Sequence, residues 1–104
     1  EIFNWSKALQ LSKSNFPYIN SLKSMIGHCL SASGSIESVA TVLQVYHGFI
    51  FPTINCEDLH PEIESLVEKG KILQQLIQKE INIAVKASFG FGDVNACVVF
   101  KKFR

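Results

Sequence analysis

The sequence has few charged residues, and its densest run of one sign is the last four residues, Lys-Lys-Phe-Arg, which are typical of a solvated chain end. Asp, Glu, Lys and Arg make up 18% of its 104 residues, whereas charged residues are about a quarter of a typical soluble domain. The ten basic residues are scattered and the formal net charge is +1. Without a basic face or arm, the sequence indicates no nucleic-acid partner.

Long hydrophobic runs and paired cysteines are also missing. The longest apolar run is far shorter than the roughly 20 residues of a membrane-spanning helix, and no signal peptide is visible. The three cysteines are far apart in the chain and form no Cys-x-x-Cys motif. Their spacing argues against a zinc site and favours free thiols in a reducing, cytoplasmic setting. We therefore predict no membrane span, no metal and no cofactor.

Apolar side chains, in contrast, are abundant. Hydrophobic residues make up 47% of the chain, and the length allows one domain at most. The apolar surplus predicts that part of the surface meets another chain or another domain. The sequence begins at Glu1 and not at a methionine, so we expect residues 1–104 to be one domain of a larger protein.

The spacing of apolar residues predicts an α/β layer arrangement with a mixed sheet. Residues 2–11 and 35–47 have helical periodicity, and the second segment is apolar on nearly all sides, which predicts a buried helix. Pro61 is suited to the first turn of a third, short helix. Three segments are predicted strands, the last two paired as an antiparallel hairpin: residues 18–22, 81–88 and 96–103.

Three short motifs indicate where the chemistry lies. Residues 23–28 are K-S-M-I-G-H and precede a turn of small residues, residues 51–55 are F-P-T-I-N, and residues 90–95 are G-F-G-D-V-N. A histidine and a lysine five residues apart can supply a hydrogen-bond donor and a charge. A glycine-rich loop can bring backbone N–H groups against a carbonyl oxygen. The set indicates carbonyl chemistry, but it includes no obvious nucleophile.

In order and spacing these motifs resemble the C-terminal half of the β-ketoacyl-acyl-carrier-protein synthases, condensing enzymes of the thiolase fold. The resemblance implies the C-terminal half of a thiolase-like fold, with a mixed sheet, a buried helix and a C-terminal β-hairpin. It implies an acyltransferase that performs a decarboxylative Claisen condensation of a malonyl unit with an acyl thioester, in fatty acid or polyketide synthesis. The implied partners are an acyl carrier protein, the N-terminal half of the same synthase, and a second copy in a homodimer.

The resemblance also assigns roles to individual residues. His28 would donate an N–H to the oxygen of the enolate, and Lys23 would orient the site and hold charge near it. The backbone N–H of Phe91 would form half of an oxyanion hole, and its ring would gate the acyl pocket. The remaining residues of this gating loop are Gly90, Gly92 and Asn95.

Glu37 has two interpretations. It either pairs with Lys23 in the site, or it is a carboxylate in the first turn of a helix, where the positive end of the helix dipole favours it.

Two departures from the family pattern bear on loop geometry and acyl-chain preference. The small-residue turn is S-A-S-G at residues 31–34 where the family has G-A-x-G, and Asp93 stands where the family loop has a second glycine.

A different class of function is a non-catalytic module with the same half-fold that binds an acyl carrier protein or a synthase subunit. The family nucleophile, a cysteine, and a further histidine would belong upstream of Glu1. Cys29 adjoins His28, but neighbouring residues do not face each other on a helix and point to opposite faces of a strand. We therefore expect the isolated chain to be inactive.

We predict that the isolated 104-residue chain forms no acyl-enzyme, because it contains no cysteine paired with an activating group. Intact-mass measurement after incubation with an acyl carrier substrate checks this, and the complete gene product is the positive control. A stable acyl adduct on the isolated chain would show the prediction to be wrong, and loss of that adduct in Cys29→Ser would identify the nucleophile.

Overall fold

Residues 1–103 are described by a computed structural model. They form four α-helices and four strands, with 3₁₀ turns at Leu30–Ala32 and Lys69–Lys71. The helices are α1 (Ile2–Leu9), α2 (Lys23–Ile26), α3 (Ser33–His47) and α4 (Pro61–Leu66). The strands are β1 (Phe49–Ile50), β2 (Ile77–Gln78), β3 (Ile83–Gly90) and β4 (Val94–Lys101).

The chain divides into two units, each with its own contacts. The first unit consists of Glu1–Met25 and Phe51–Leu76, and the second of Ile26–Ile50 and the chain from Ile77 onward. The predicted α/β class is confirmed. Among the described residues, no helix is both long enough and apolar enough to cross a membrane.

The first unit is organised around a small apolar core. Phe16, Val67 and Ile72 are its buried hydrophobic residues. Two isolated parallel bridges, Lys13 with Val67 and Ile19 with Ile72, join its two chain segments, and α1 packs against α4. As predicted, Pro61 occupies the first turn of a short helix, where its missing N–H costs nothing.

The predicted strand at residues 18–22 is wrong. Within this segment, β-pairing is confined to the single bridge at Ile19, and Lys23 begins the short helix α2. Hydrogen bonds close a turn at this point: the Ser24 hydroxyl donates to the Ser21 carbonyl at 2.9 Å, and the Met25 N–H donates to the Leu22 carbonyl at 3.0 Å. The Ser24 hydroxyl therefore bonds to the local backbone in a turn, which competes with strand pairing.

The second unit is α3 packed on the hairpin of β3 and β4. The hairpin is antiparallel from Ile83 opposite Lys101 to Gly90 opposite Val94, which confirms the predicted C-terminal hairpin. Strands β1 and β2 form a second, separate antiparallel pair. In place of one mixed sheet, the part of the chain that the structure describes has these two antiparallel ladders and the two parallel bridges of the first unit.

Helix α3 differs from its prediction in burial. It ends where expected, since Gly48 follows with φ of 69° and its N–H donates to the Gln44 carbonyl at 2.9 Å. Val45 is buried, but Val39 is 61% and Tyr46 is 76% exposed. The prediction of a buried helix is therefore wrong for this chain, because the hairpin covers only one side of it. The apolar surplus seen in the composition lies partly on the uncovered side.

We predict that Ile72→Ala lowers the free energy of unfolding by about 2–5 kcal/mol, because it removes a buried side chain and leaves a cavity. Ile54→Ala, the same change in the same unit, is the matched control, since Ile72 is 6% and Ile54 is 40% exposed. The control is expected to cost less than about 1 kcal/mol. Urea unfolding curves compare the two, and equal costs would contradict the core assignment.

Candidate active site

The turn that contains His28 has an unusual backbone. Gly27 has φ of 76° and Leu30 has φ of 52°, both in the left-handed region, which glycine adopts freely and leucine does not. A Cβ added at Gly27 would meet nothing within 4 Å, so the backbone angle and not space requires glycine there. The Leu30–Ala32 3₁₀ turn then leads directly into α3 at Ser33.

His28 is held through one of its ring nitrogens. Its Nδ1 accepts a hydrogen bond from the Leu30 backbone N–H at 3.0 Å, and the Ser33 Oγ lies 3.1 Å from the same nitrogen. Because the Leu30 N–H can only donate, Nδ1 must present its lone pair. A neutral imidazole then carries its proton on Nε2. The His28 side chain is exposed, so this Nε2–H is able to donate to the oxygen of a ligand.

A buried ion pair joins α3 to β3. The Lys86 Nζ lies 3.0 Å from the Glu37 Oε2, and the two side chains are 8% and 15% exposed. Lys86 also donates a hydrogen bond to the Ser88 hydroxyl. Sequence reasoning missed Lys86, although one signal was present, since it is the charged residue in the middle of a β-rich segment. One side of β3 bears small and polar side chains and is less exposed than the other side, which bears Ile83 and Val85. The less exposed side consists of Ala84, Lys86 and Ser88.

The start of α3 and the observed ion pair both bear on the two interpretations of Glu37. Helix α3 begins at Ser33, two residues before the predicted start, and has no acidic residue in its first turn. The interpretation of Glu37 as a first-turn carboxylate is therefore wrong. Glu37 pairs with Lys86, and its pairing with Lys23 stays a prediction. Lys23 is half-buried at the start of α2.

The predicted gating loop is the tip of the β3–β4 hairpin. Gly90 ends β3 and Val94 begins β4. Gly92 has φ of 78° and Asp93 has φ of 58°, so Asp93 adopts the left-handed backbone for which a glycine would be the usual choice. Phe91 lies at the tip with its side chain fully exposed, and Asn95 is paired with Phe89 across the ladder. The gating role of Phe91 stays a prediction.

The second unit connects the histidine turn to the hairpin through α3. At the first residue of α3 the Ser33 hydroxyl contacts His28, and one turn later Glu37 contacts Lys86 of β3, the strand that ends at Gly90. The arrangement offers an imidazole N–H and the backbone N–H groups of a tight turn, and such donors stabilise negative charge on an oxygen. Among residues 1–103 no cluster of three or more His, Cys, Asp and Glu side chains could hold a metal ion.

Comparison with known proteins shows which family the sequence resembles. A family model described as "Beta-ketoacyl synthase, C-terminal domain" matches residues 1–57. Chloroplastic 3-oxoacyl-[acyl-carrier-protein] synthase I of Hordeum vulgare is 42% identical over 86 residues, which are 83% of this chain and 18% of that protein. The 3-oxoacyl-[acyl-carrier-protein] synthase 1 of Buchnera aphidicola subsp. Acyrthosiphon pisum is 44% identical over 87 residues, 84% of this chain and 20% of that protein. That of Escherichia coli K12 is 36% identical over 88 residues, 85% of this chain and 21% of that protein.

The match covers only part of each relative. This chain spans about a fifth of the length of the curated relatives it matches. The region matched by the family model includes His28 and Glu37. The shared sequence thus extends over the histidine turn and the start of α3, the elements that position the imidazole.

We predict that Lys86→Met lowers the free energy of unfolding by about 1–3 kcal/mol, because it removes a cation from a mostly buried carboxylate. Lys102→Met is the matched control: its Nζ lies 3.5 Å from the Glu80 Oε1, with side chains 36% and 69% exposed. An exposed pair of this kind is worth less than about 1 kcal/mol. Chemical unfolding measures both, and a Lys86→Met cost no larger than the control's would contradict the importance of the buried pair.

Proposed function

The chain belongs to the β-ketoacyl synthase family, whose C-terminal domain it contains, and from that premise we propose that it is the C-terminal part of a 3-oxoacyl-acyl-carrier-protein synthase. The identities of 36–44% with such synthases support this assignment. The proposal includes an upstream N-terminal half of the same protein, which supplies the nucleophilic cysteine and a further histidine. By itself the chain is inactive.

The proposed reaction is a decarboxylative Claisen condensation. The acyl group is held as a thioester on the upstream cysteine. A malonyl thioester on an acyl carrier protein loses CO₂, and the electron pair of the broken C–C bond forms an enolate. The enolate carbon attacks the acyl carbonyl, a new C–C bond forms, and the cysteine leaves as a thiolate. Negative charge thus develops on a thioester oxygen twice, once in the enolate and once in the tetrahedral intermediate.

The hydrogen bond from the Leu30 N–H to the Nδ1 of His28 is the observation on which the proposed mechanism depends. Since Nδ1 accepts the Leu30 N–H at 3.0 Å, the neutral ring has a donor and not an acceptor at Nε2. A general base would need the reverse arrangement, with a lone pair at the nitrogen that faces the substrate. His28 is therefore suited to donate a hydrogen bond to the enolate oxygen.

The hairpin tip has the second role. We assign the Phe91 backbone N–H to the oxyanion hole of the acyl thioester, with the Phe91 ring as a gate of the acyl pocket. This assignment is supported by the exposed Phe91 ring, and by the left-handed backbone at Gly92 and Asp93, which turns the chain tightly at the tip of the loop. Gly90 and Asn95 bracket the turn, since Gly90 ends β3 opposite Val94 and Asn95 pairs with Phe89.

Two charged residues, Lys23 and Glu37, are proposed to position the site. Lys23 is assigned to orient the reacting groups and hold positive charge near them. Glu37 has two possible cationic partners, the observed Lys86 and the predicted Lys23. Through Lys86 it stabilises the packing of α3 on β3, with a Nζ–Oε2 distance of 3.0 Å. Glu37 is thus proposed to act on the position of the site and not on the substrate.

The partners follow from the proposed reaction and from the exposed surface. An acyl carrier protein delivers the malonyl unit. The uncovered side of α3, which includes Val39 and Tyr46, is proposed to pack against the N-terminal half of the synthase, because leaving that apolar area in water is unfavourable. The full-length protein is proposed to be a homodimer that acts in fatty acid synthesis. The three free cysteines are compatible with the cytoplasm.

The alternative is a non-catalytic module with the same half-fold. The exposed apolar side of α3 is the observation that favours it, because such a surface also suits a protein partner. That partner would be an acyl carrier protein or an active synthase subunit. The two functions differ in whether the complete gene product decarboxylates malonyl thioesters.

We predict that His28→Ala in the complete gene product lowers the rate of malonyl decarboxylation by roughly 10²–10³-fold, because one hydrogen bond to the enolate oxygen is lost. Release of CO₂ from a malonyl carrier substrate measures the rate, and circular dichroism checks the fold. His47→Ala is the matched control, since His47 is an exposed histidine at the other end of α3. Decarboxylation unchanged by His28→Ala would exclude the role of His28, and a gene product with no decarboxylation at all would favour the non-catalytic module.

A further inference from the structure

We propose that Ser33 is a positioning residue for His28, with its hydroxyl as a second hydrogen-bond donor to Nδ1 that holds the ring in the Nε2–H tautomer and in one orientation. The role in catalysis rests on the proposed function, but the contact itself does not. The Ser33 Oγ lies 3.1 Å from the His28 Nδ1, and Ser33 is buried whereas the imidazole is exposed.

The direction of this hydrogen bond follows from the backbone. The Leu30 N–H donates to Nδ1 at 3.0 Å, so that nitrogen carries no proton. A hydroxyl can donate or accept, and facing a bare nitrogen the Ser33 hydroxyl has to donate. The two donors share the same lone pair and approach from different points of the turn. One donor alone leaves the ring free to tilt about its single hydrogen bond, and a second donor restricts that motion.

Within residues 1–103, the contact with His28 is the one hydrogen bond that the Ser33 hydroxyl makes. A serine at a helix start usually caps the helix by accepting a backbone N–H. Here Ala32 occupies the cap position, its side chain makes no cap hydrogen bond, and Ser33 is already the first helical residue, with φ of −54° and ψ of −45°. The hydroxyl is directed at the imidazole.

Other hydroxyls of α3 provide a comparison. The Ser38 hydroxyl donates to the Gly34 carbonyl at 2.7 Å, and the Thr41 hydroxyl donates to the Glu37 carbonyl at 2.8 Å. Both bond to the backbone one turn earlier, which is the usual arrangement for such residues inside a helix. Ser33 is the first residue of α3 and lies next to the histidine turn. Its hydroxyl therefore reaches a side chain of that turn.

The position of Ser33 also connects His28 to the buried ion pair. Ser33 begins α3, and Glu37 stands one turn later with its carboxylate 3.0 Å from the Lys86 Nζ. Because this pair anchors α3 to β3, it also fixes the position of Ser33 relative to the hairpin. The Ser33 hydroxyl therefore orients the His28 ring relative to the proposed oxyanion loop, which the hairpin bears.

Ser33→Ala in the complete gene product tests the proposal, with Ser38→Ala as the matched control on the same helix. We expect Ser33→Ala to lower the kcat of malonyl decarboxylation about five- to tenfold, the loss of one hydrogen bond, with KM nearly unchanged. Ser38→Ala is expected to leave kcat within about twofold. Acylation of the enzyme by the acyl donor should be the same in both variants, since the hydroxyl acts only through His28.

A spectroscopic measurement separates this proposal from the proposed function. With ¹⁵N-labelled histidine and no substrate, the His28 Nδ1 and Nε2 shifts report the tautomer, and His28→Gln identifies the signals. We expect Ser33→Ala, and not Ser38→Ala, to raise the population of the Nδ1–H tautomer, which brings the averaged Nδ1 and Nε2 shifts of His28 closer together. Unchanged His28 shifts in Ser33→Ala would overturn the proposal. A changed spectrum in a protein whose decarboxylation does not depend on His28 would support the contact and reject the proposed role of His28 in the reaction.

Discussion

The ion pair between Lys86 and Glu37 is the interaction on which the arrangement of the site depends. Burying two charges is costly, and it is favourable only where the geometry is good and further hydrogen bonds are made. Here the charged atoms lie 3.0 Å apart and Lys86 also donates to the Ser88 hydroxyl. Glu37 follows the histidine turn on α3, and Lys86 precedes the glycine loop on β3. The pair therefore holds together the two elements from which the proposed site is built.

The chemistry of the site depends on a backbone amide. The Leu30 N–H, presented by a residue in the left-handed region, occupies Nδ1 of His28 and leaves the proton on Nε2. This makes the histidine a donor to negative charge and unsuitable as a base for a nearby nucleophile. Such a donor suits the proposed condensation, in which loss of CO₂ supplies the electron pair of the enolate and no proton has to be removed.

Several features were predictable from the sequence because they depend on local pattern. The helical periodicity of α3, the proline that begins α4 and the hairpin around the glycine loop all follow from neighbouring residues, and the structure agrees with each. The family was predictable because three motifs occur in the same order and spacing. The strand at residues 18–22 was not, because alternation over five residues is a weak signal and the Ser24 hydroxyl, just after the segment, bonds to the local backbone. Residues 18–22 form no strand, and the short helix α2 begins directly after them at Lys23.

The sequence by itself determined the family and the C-terminal hairpin, and it supplied the candidate histidine and glycine loop, since each is defined by residues close together in the chain. Only the tertiary structure decided the observed partner of Glu37, the role of Lys86 and the contact between Ser33 and His28. Alternation in β3 shows that one side differs from the other, but it does not state which side faces a helix. That side is chosen by the packing of α3, and this packing brings together Glu37 and Lys86, which are distant in sequence.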